Sequence, residues 1–248
     1  MSDAVDDDIL GSADDACIEL AIRGTPVRLQ PAEGVFTPTP NGLFYAESCD
    51  VRPGERVLDV GTGSGVLAIW AAKLGATVDA VDADARAVAA ARRNARINGV
   101  TDSVHVRQAS LLEGASGHYD VILANLPNEI VAPAYLAGLP PGDARVFAGG
   151  PAGNALILAL LDGALGFLRD GARLYLAIHS LTDYHATLHA ALARYRLRLV
   201  SHATLPVKPF VTAHLDWYRG LDDAGVITIF QRDGDWFTHG YVYELCPR

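Results

Sequence analysis

The sequence has no run of about 18 consecutive apolar residues, the length that a membrane-spanning helix needs. Its first twenty residues are acidic and lack the basic and then apolar pattern of a secretion signal. We therefore expect a cytoplasmic protein without a membrane partner. Cysteine is also scarce: the three cysteines are widely spaced and form no C-x-x-C pair. This argues against a disulfide framework and against a structural zinc site.

Basic charge is scarce as well. The chain has 20 Lys and Arg residues against 29 Asp and Glu residues, which gives a formal net charge of −9. Residues 1–20 hold seven of the acids and no base, so 22 acids and 20 bases remain, a formal charge of −2. A near-neutral body lacks the basic face that binds nucleic-acid phosphates. We therefore do not expect a large nucleic acid as a partner.

The length and the composition predict one main domain with two short segments before it. Residues 1–13 are rich in Asp and are expected to form a flexible acidic tail. Residues 14–50 form an N-terminal cap segment, with a short helix at residues 18–22 and another at residues 43–49. Residues 51–248 form the main domain.

Within the main domain, strands alternate with helices, which predicts an α/β fold with a parallel sheet and helices on both faces. The predicted strands are residues 57–60, 77–81, 104–106, 119–124 and 173–178, and the predicted helices are residues 66–74, 85–97 and 155–168. Later strands at residues 197–200, 225–230 and 236–245 predict an antiparallel C-terminal hairpin. Residues 202–223 have no clear period and are expected to form a long loop.

The most specific motif lies at the start of this domain. Residues 57–65 read VLDVGTGSG, a buried strand that ends in three alternate glycines and leads into a helix. Glycines at such a turn let a ligand approach the backbone closely. Asp82 closes the second strand, and there its carboxylate can accept both hydroxyls of a ribose. The pair predicts a cofactor that contains a nucleoside.

Two such cofactors compete. A nicotinamide site has the spacing G-x-G-x-x-G, but position 66 here is Val66. The spacing G-x-G-x-G fits S-adenosyl-L-methionine better, because this cofactor has no pyrophosphate and needs only backbone room and hydrogen bonds at the helix start. A turn without a ligand is the remaining alternative.

The motif resembles that of the class I adenosylmethionine-dependent methyltransferases, and the resemblance extends from about Val35 to His179. A narrower likeness is to the HemK-type glutamine N5-methyltransferases and their adenine-N6 and guanine-N2 relatives. It rests on residues 94–99 (NARING), 119–127 (YDVILANLP) and 149–153 (GGPAG). The resemblance implies a Rossmann-like fold with a mostly parallel central sheet.

The resemblance also implies which residues surround the cofactor. Residues 35–38 are similar to the extended stretch that the family lays over its cofactor, and the residues after the third strand correspond to those that contact the adenine. The expected cofactor-binding residues are Phe36, Thr37, Asp59, Gly61, Thr62, Gly63, Gly65, Asp82, Ala83, Ser110, Leu111 and Asn125.

In that family the tetrapeptide Asn-Pro-Pro-Tyr follows the fourth strand, and the Asn oxygen and the next backbone carbonyl accept hydrogen bonds from the target NH2 group. The matching residues 125–128 read NLPN, so Asn125 and the carbonyl of Leu126 are the expected catalytic groups. The aromatic residue is absent, which removes a stacking platform for a planar base or amide. Glu129 is a third candidate, as a general base, although it could instead begin the following helix.

Other polar residues are less specific. His179 and Ser180 end the fifth strand on the side where ligands bind in open α/β sheets. His185 and His189 have a metal-like spacing but no clear third ligand, so we expect no metal. The late loop carries five residues that could line a pocket or cover the sheet edge: Lys208, Phe210, His214, Trp217 and Tyr218.

These observations predict an S-adenosyl-L-methionine-dependent methyltransferase of bacterial origin that N-methylates a small molecule or a peptide at an amide or amine nitrogen. The alternatives are an O- or C-methyltransferase of a natural-product pathway and an N-methyltransferase of ribosomal RNA or of protein glutamine. An NAD-dependent oxidoreductase and a non-catalytic nucleoside-binding protein represent other classes. The sequence does not determine the oligomeric state.

Overall fold

The structure, a computed structural model, describes residues 17–139, 147 and 149–248. The acidic tail predicted for residues 1–13 lies outside the described residues. The described chain forms two compact units: the first holds residues up to Asn125 together with Gly163–Tyr175, and the second holds residues from Leu126–Asp162 and Leu176–Arg248. The predicted boundary between a cap at residues 14–50 and a domain at residues 51–248 remains a prediction. No helix in the described ranges has the length and apolar character needed to cross a membrane.

The first unit opens with an antiparallel hairpin. Strand β1 (Ile18–Ile22) pairs with β2 (Thr25–Leu29), and the turn between them has positive φ angles at Arg23 (+48°) and Gly24 (+81°). The prediction of a short helix at residues 18–22 is therefore wrong. Five residues are too few to repay the cost of helix nucleation, whereas a partner strand lies only two residues further along the chain.

The rest of the first unit alternates strands and helices, as predicted. Its elements are α1 (Pro40–Ser48), β3 (Arg56–Val60), α2 (Val66–Lys73), β4 (Thr77–Asp82), α3 (Ala85–Ile97), β5 (Val104–Gln108), β6 (Tyr119–Ala124) and the first part of β7 (Leu168–His179), which follows a 3-10 turn at Ala164–Phe167. The strand order is β5-β4-β3-β6-β7, and β5-β4, β4-β3 and β3-β6 are parallel pairs. Because parallel strands end at one edge of a sheet, the predicted site residues after β3, β4, β5 and β6 come to the same edge.

The helices follow from their side-chain patterns. Helix α2 is apolar on all sides, and residues 67–72 are all buried. Helix α3 is amphipathic, with Ala and Val side chains on the buried side and arginines among the remaining positions. The Asp84 carboxylate caps α3 by accepting a hydrogen bond from the Arg86 N–H at 2.8 Å, so the helix begins directly after β4.

The second unit contains the remaining elements. They are α4 (Pro133–Gly138), α5 (Ala155–Gly163), which ends at the unit boundary, the last part of β7, α6 (Tyr184–Leu192), β8 (Tyr195–Pro206), α7 (Pro209–Thr212), α8 (Leu215–Asp223), β9 (Ile229–Arg232) and β10 (Asp235–Pro247). Strand β10 lies between β7 and β8 and pairs antiparallel with both β8 and β9. The predicted antiparallel C-terminal hairpin and the α/β fold class are confirmed.

The prediction of an irregular loop at residues 202–223 is wrong. Strand β8 continues to Pro206, and two short helices, α7 and α8, follow it. They bury Phe210, Val211 and Tyr218 in one apolar cluster with Ile130 and Leu181. Helices of four and nine residues are too short for a hydrophobic period to be recognised, so the sequence did not reveal them.

The buried Asp79 on β4 yields a stability prediction. Its carboxylate accepts hydrogen bonds from Arg56 at 2.7 Å, Arg107 at 2.9 Å and the Tyr119 hydroxyl at 2.9 Å. We expect Asp79→Asn to lower the free energy of unfolding by about 2 kcal/mol, because two arginines lose their charged partner. Urea unfolding measures this change. The exposed Asp102 provides the control, and an equal loss in Asp102→Asn would contradict the prediction.

Candidate functional site

The glycine turn after β3 forms the centre of the candidate cofactor site. Gly61, Gly63 and Gly65 have φ angles of +72°, +54° and +86°, which residues with a side chain rarely adopt. A Cβ atom on Gly65 would lie 3.1 Å from the Cα of Ala91, so α3 packs against this residue. A Cβ atom on Gly63 would have no neighbour within 4 Å. The backbone at Gly63 is therefore open to a ligand.

Asp82 holds the glycine turn from the end of β4. Its Oδ2 accepts a hydrogen bond from the Gly63 N–H at 2.9 Å, and its Oδ1 accepts one from the Asp84 N–H at 2.9 Å. Burial raises the pKa of this carboxyl, and these backbone donors oppose the increase. A carboxylate has about four acceptor positions, so two remain for the hydroxyls of a sugar.

Asp59, the acidic residue of β3, is completely buried. Its Oδ2 accepts a hydrogen bond of 2.6 Å from the hydroxyl of Thr62, whereas its Oδ1 has no hydrogen-bond partner among the described residues. Burial raises the pKa of Asp59 to about 7, and the Thr62 hydroxyl limits the increase. An unpartnered oxygen at this position can accept a hydrogen bond from a ligand or from water.

The loop after β5 lies against the end of β4. The Ala109 N–H donates to the Asp82 carbonyl at 3.0 Å, and the Gln108 side chain donates to the Ala83 carbonyl at 3.2 Å. These bonds bring the predicted residues Ser110 and Leu111 close to Asp82 and Ala83. Leu111 has a φ angle of +48°, a strained conformation for a leucine, and such strain is common where a backbone contacts a ligand.

The extended segment before α1 also reaches this region. Val35 packs against Ala87 and Ala90 of α3, and the next two residues, Phe36 and Thr37, line a small cavity together with Ser64 of the glycine turn. The Thr37 hydroxyl is buried without a hydrogen-bond partner among the described residues. The structure thus brings both predicted residues of this segment to the turn.

Sequence reasoning missed how Asn94 organises this site. Its Oδ1 accepts a hydrogen bond from the Gln30 N–H at 2.9 Å, and its Nδ2 donates to the Ser64 carbonyl at 2.9 Å. One turn later, the Asn98 amide exchanges hydrogen bonds with the backbone of Arg28 at 3.0 and 2.6 Å. The two asparagines of the NARING segment therefore join the hairpin and the glycine turn to α3. The sequence signal for this role was the spacing of four residues between the two asparagines, which places both on one face of a helix.

Asn125 follows β6 and is half-buried. Its Nδ2 lies 3.7 Å from the position that a Cβ atom on Gly42 of α1 would occupy. Tyr45, also on α1, fixes the preceding residue, because its hydroxyl accepts a hydrogen bond from the Ala124 N–H at 2.8 Å and donates to the Tyr175 carbonyl at 2.9 Å. Sequence reasoning also missed this role of Tyr45.

Residues 126–129 belong to the second unit. The Asn128 amide donates to the Leu126 carbonyl at 2.7 Å and accepts a hydrogen bond from the His179 N–H at 2.7 Å. Glu129 lies before α4 and is not part of that helix. One of its carboxylate oxygens lies 2.6 Å from the Lys208 Nζ, and the other lies 3.4 Å from the His179 Nδ1.

The GGPAG segment supports this arrangement in the second unit. Gly153 has a φ angle of +72°, and a Cβ atom there would lie 2.9 Å from the Ile130 nitrogen and 3.0 Å from the Glu129 carbonyl carbon. Only glycine allows the chain to pass so close to the backbone of Glu129. The GGPAG segment therefore packs closely against the backbone of Glu129, one of the predicted site residues.

The comparison with known proteins gives a family match for the central part of the chain. Residues 36–135 match the family profile of the ribosomal protein L11 methyltransferases (PrmA), and this range contains all the predicted catalytic and cofactor-binding residues. The ribosomal protein L11 methyltransferase of Bacillus cytotoxicus is 53% identical over 95 residues, which span 38% of this chain and 30% of that protein. The ribosomal protein L11 methyltransferase of Bacillus cereus is 52% identical over 95 residues, again 38% of this chain and 30% of that protein. The match thus spans less than a third of the length of these bacterial relatives.

Solved structures with the same architecture cover more of the chain. The 16S rRNA N2 G1207 methyltransferase of Thermus thermophilus, solved with AdoMet and guanosine, has a TM-score of 0.58 at 19% identity, over 94% of this chain and 50% of that one. The ribosomal protein L11 methylase of Lactobacillus delbrueckii has a TM-score of 0.50 at 21% identity, over 86% of this chain and 81% of that one. The chain has the fold of the class I adenosylmethionine-dependent methyltransferases. At these identities the structural likeness establishes the fold alone.

The comparisons correct two expectations for this class I chain. They support the predicted cofactor and enzyme class, but they give no specific support to the HemK-type subgroup. The predicted small-molecule or peptide substrate is wrong, because the relatives that match residues 36–135 are named as methyltransferases of a ribosomal protein. The near-neutral charge and the missing aromatic residue had favoured a small acceptor, but neither feature excludes a protein acceptor.

The buried Asp59 leads to a prediction about pH dependence. Its pKa is about 7 in the folded protein, whereas an unfolded Asp titrates near pH 4, so the folded state holds one more proton between these values. The stability contributed by the protonated Asp59 is therefore lost as the pH rises from about 4 to 7. Relative to the wild type, Asp59→Asn is expected to gain about 1.4 kcal/mol in unfolding free energy for each pH unit in this range. Urea unfolding at pH 5, 6 and 7 measures the difference, and parallel curves would contradict the prediction.

Proposed function

We propose that this chain is an S-adenosylmethionine-dependent N-methyltransferase whose acceptor is a ribosomal protein. The observation that carries the proposal is the match of residues 36–135 to the ribosomal protein L11 methyltransferase family, because that range includes each predicted cofactor and acceptor residue. The proposal makes one of the predicted alternatives, N-methylation of a protein, more specific. It would place the chain in the cytoplasm, where ribosomes work.

The geometry of the first unit fits the cofactor. Asp82 has acceptor positions left for two ribose hydroxyls, and the open backbone at Gly63 leaves room beside the turn. Two buried oxygens without protein partners among the described residues, those of Thr37 and Asp59, are suitable for polar groups of a ligand. When bound, the cofactor supplies a methyl group on a positively charged sulfur. The protein then has to align the acceptor and receive its proton.

The cap segment would contribute to this binding. Asn94 and Asn98 attach β2 to α3, and residues 35–38 continue from there toward Ser64. We propose that residues 17–50, the described part of the predicted cap at residues 14–50, cover the cofactor, and that Phe36 supplies apolar contact to it.

Asn125 and Leu126 are the proposed acceptor-binding groups. Both belong to the segment that directly follows β6, and Tyr45 fixes the backbone there by its hydrogen bond to Ala124. The amide oxygen of Asn125 and the carbonyl of Leu126 can each accept a hydrogen bond from an N–H group. Two such bonds orient the nitrogen lone pair, which is the alignment that a displacement reaction requires.

The first test separates cofactor binding from acceptor alignment. We expect Asp82→Ala to weaken S-adenosylhomocysteine binding about tenfold or more, roughly 1.4 kcal/mol, because the ribose contacts are lost. Asn125→Ala is expected to leave that dissociation constant within about twofold and to lower kcat about a hundredfold. Calorimetry and steady-state kinetics measure the two quantities. Equal effects of both substitutions on binding would contradict this division of roles.

The second test addresses the acceptor. The full chain is incubated with methyl-labelled S-adenosylmethionine and either isolated ribosomal protein L11 or intact ribosomes, and the products are analysed by mass spectrometry. We expect label on a nitrogen of the ribosomal protein and none on ribosomal RNA. The Asn125→Ala variant, whose kcat is expected to be about a hundredfold lower, serves as the low-activity control. Label found only on RNA, or no label at all, would overturn the proposed function.

A further inference from the structure

Helix α1 lies against the residue that the proposed function assigns to the acceptor. A Cβ atom on Gly42 of α1 would lie 3.7 Å from Nδ2 of Asn125, and within 4 Å of that point it is the only side-chain atom of another segment in the described part of the chain. The amide oxygen of Asn125 therefore lies further from Gly42 than the nitrogen does. Gly42 and Asn125 both belong to the first unit, as does the glycine turn.

The Asn125 side chain has no hydrogen bond that would fix its orientation. Within the described ranges its amide bonds to no other group, and the residue is half-buried. The amide is therefore available to a ligand. Its orientation depends on the groups that pack beside it and on the backbone that precedes it.

Tyr45 fixes that backbone from the same helix. Its hydroxyl accepts the Ala124 N–H at 2.8 Å and donates to the Tyr175 carbonyl at 2.9 Å, so it bridges the neighbouring strands β6 and β7. Strand β6 ends at Ala124, and Asn125 is the next residue. Tyr45 is fully buried, and burial raises the pKa of its hydroxyl well above the ordinary value. The hydroxyl therefore keeps its proton and both bonds.

Helix α1 is itself anchored within the first unit. Cys49 and Asp50 follow its last residue directly. The Arg23 guanidinium donates to the Cys49 carbonyl at 2.8 Å, and that of Arg173 donates to the next carbonyl at 3.2 Å. Because the helix is held at this end and by Tyr45, it is a fixed support for Asn125.

We propose that Gly42 and Tyr45 are positioning residues for methyl transfer: Tyr45 fixes the backbone before Asn125, and Gly42 leaves its amide the space to face the acceptor. The inference rests on the proposed function, in which the Asn125 oxygen accepts a hydrogen bond from the acceptor nitrogen. Both residues act through Asn125. A misplacement of about 1 Å can cost about a hundredfold in rate, so the two residues determine kcat rather than cofactor affinity.

The first experiment changes the space beside the amide. Gly42 has no positive φ angle, and alanine and valine are both better helix formers than glycine. Alanine places one methyl group in ordinary contact with the Asn125 amide, whereas valine adds two more and crowds it. With isolated ribosomal protein L11 as acceptor, we expect Gly42→Ala to keep kcat within about threefold and Gly42→Val to lower it about tenfold or more. Both should bind S-adenosylhomocysteine within about twofold of the wild type.

Gly220 provides the matched control for this series. It lies in helix α8 and has no positive φ angle, and a Cβ atom there would meet no neighbour within 4 Å beyond the backbone of its own helix. We expect Gly220→Val to keep the wild-type kcat. An equal loss of kcat in Gly42→Val and Gly220→Val would overturn the inference.

The second experiment removes the bridging hydroxyl. Tyr218, in the second unit, makes the same kind of bridge: its hydroxyl accepts the Ala132 N–H at 3.1 Å and donates to the Ile130 carbonyl at 3.0 Å. Both tyrosines are buried, so Tyr45→Phe and Tyr218→Phe each leave two backbone groups unpaired and should lower the melting temperature. Only Tyr45→Phe should also lower kcat, by about tenfold, with S-adenosylhomocysteine affinity within about twofold.

The third experiment needs neither cofactor nor acceptor. The side-chain amide signal of Asn125 is recorded by NMR on the full-length, nitrogen-labelled chain and is assigned by its loss in Asn125→Ala. We expect this signal to shift in Gly42→Val and in Tyr45→Phe. It should stay unchanged in the two controls, Gly220→Val and Tyr218→Phe.

The outcomes distinguish the two levels of proposal. A wild-type protein that methylates no ribosomal protein would overturn the proposed function, and this inference with it. An active wild type whose kcat is unchanged in Gly42→Val and Tyr45→Phe, or whose Asn125 signal moves in neither, would overturn the inference alone. Calorimetry with S-adenosylhomocysteine establishes whether Tyr45→Phe is folded, and if it is not, the Gly42 series decides the question.

Discussion

The hydrogen bond from Gly63 to Asp82 is the contact on which the candidate cofactor site depends. It exists because β3 and β4 are parallel neighbours in a register that places the Val81 carbonyl opposite the N–H groups of Gly61 and Thr62. The chain then turns sharply, and only glycines adopt the required positive φ angles without strain. One carboxylate therefore both anchors the turn and remains available to a ligand. If the register shifted by one residue, the Asp82 side chain would point to the other face of the sheet.

The buried Asn94 and the half-buried Asn98 extend this constraint to the segment before the sheet. An amide has both a donor and an acceptor, so a single Asn94 can satisfy the backbone of Gln30 and that of Ser64, which belong to different segments. Burying such a group is favourable only when its hydrogen bonds are made, which explains why this position needs an amide of this length. The same logic applies to Asn98 and Arg28. The position of residues 35–38 next to the glycine turn follows from these bonds.

The sequence predicted those parts of the chain whose signals are local. The bounds of α3 and β6 were predicted correctly, because α3 has an N-cap and a clear helical period and β6 is a continuous apolar run. The glycine turn and Asp82 were also found, since both lie within one strand–helix–strand stretch. Residues 18–22 were misassigned because their structure depends on pairing with residues 25–29. The His179–Glu129–Lys208 cluster could not be predicted from spacing, because its members are 50 and 79 residues apart and only the second-unit fold joins them.

The departure of residues 125–128 from the Asn-Pro-Pro-Tyr pattern has a structural consequence. An aromatic residue at position 128 could stack on a planar acceptor but could not bond the Leu126 carbonyl and the His179 N–H together. Asn128 makes both bonds and is buried while doing so. Asn128 thus makes its contacts within the protein, and it fixes the Leu126 carbonyl, which would otherwise depend on the loop alone. Under the proposed function, this arrangement would recognise the N–H group of the acceptor rather than a flat ring around it. This is compatible with a nitrogen carried on a protein side chain or backbone.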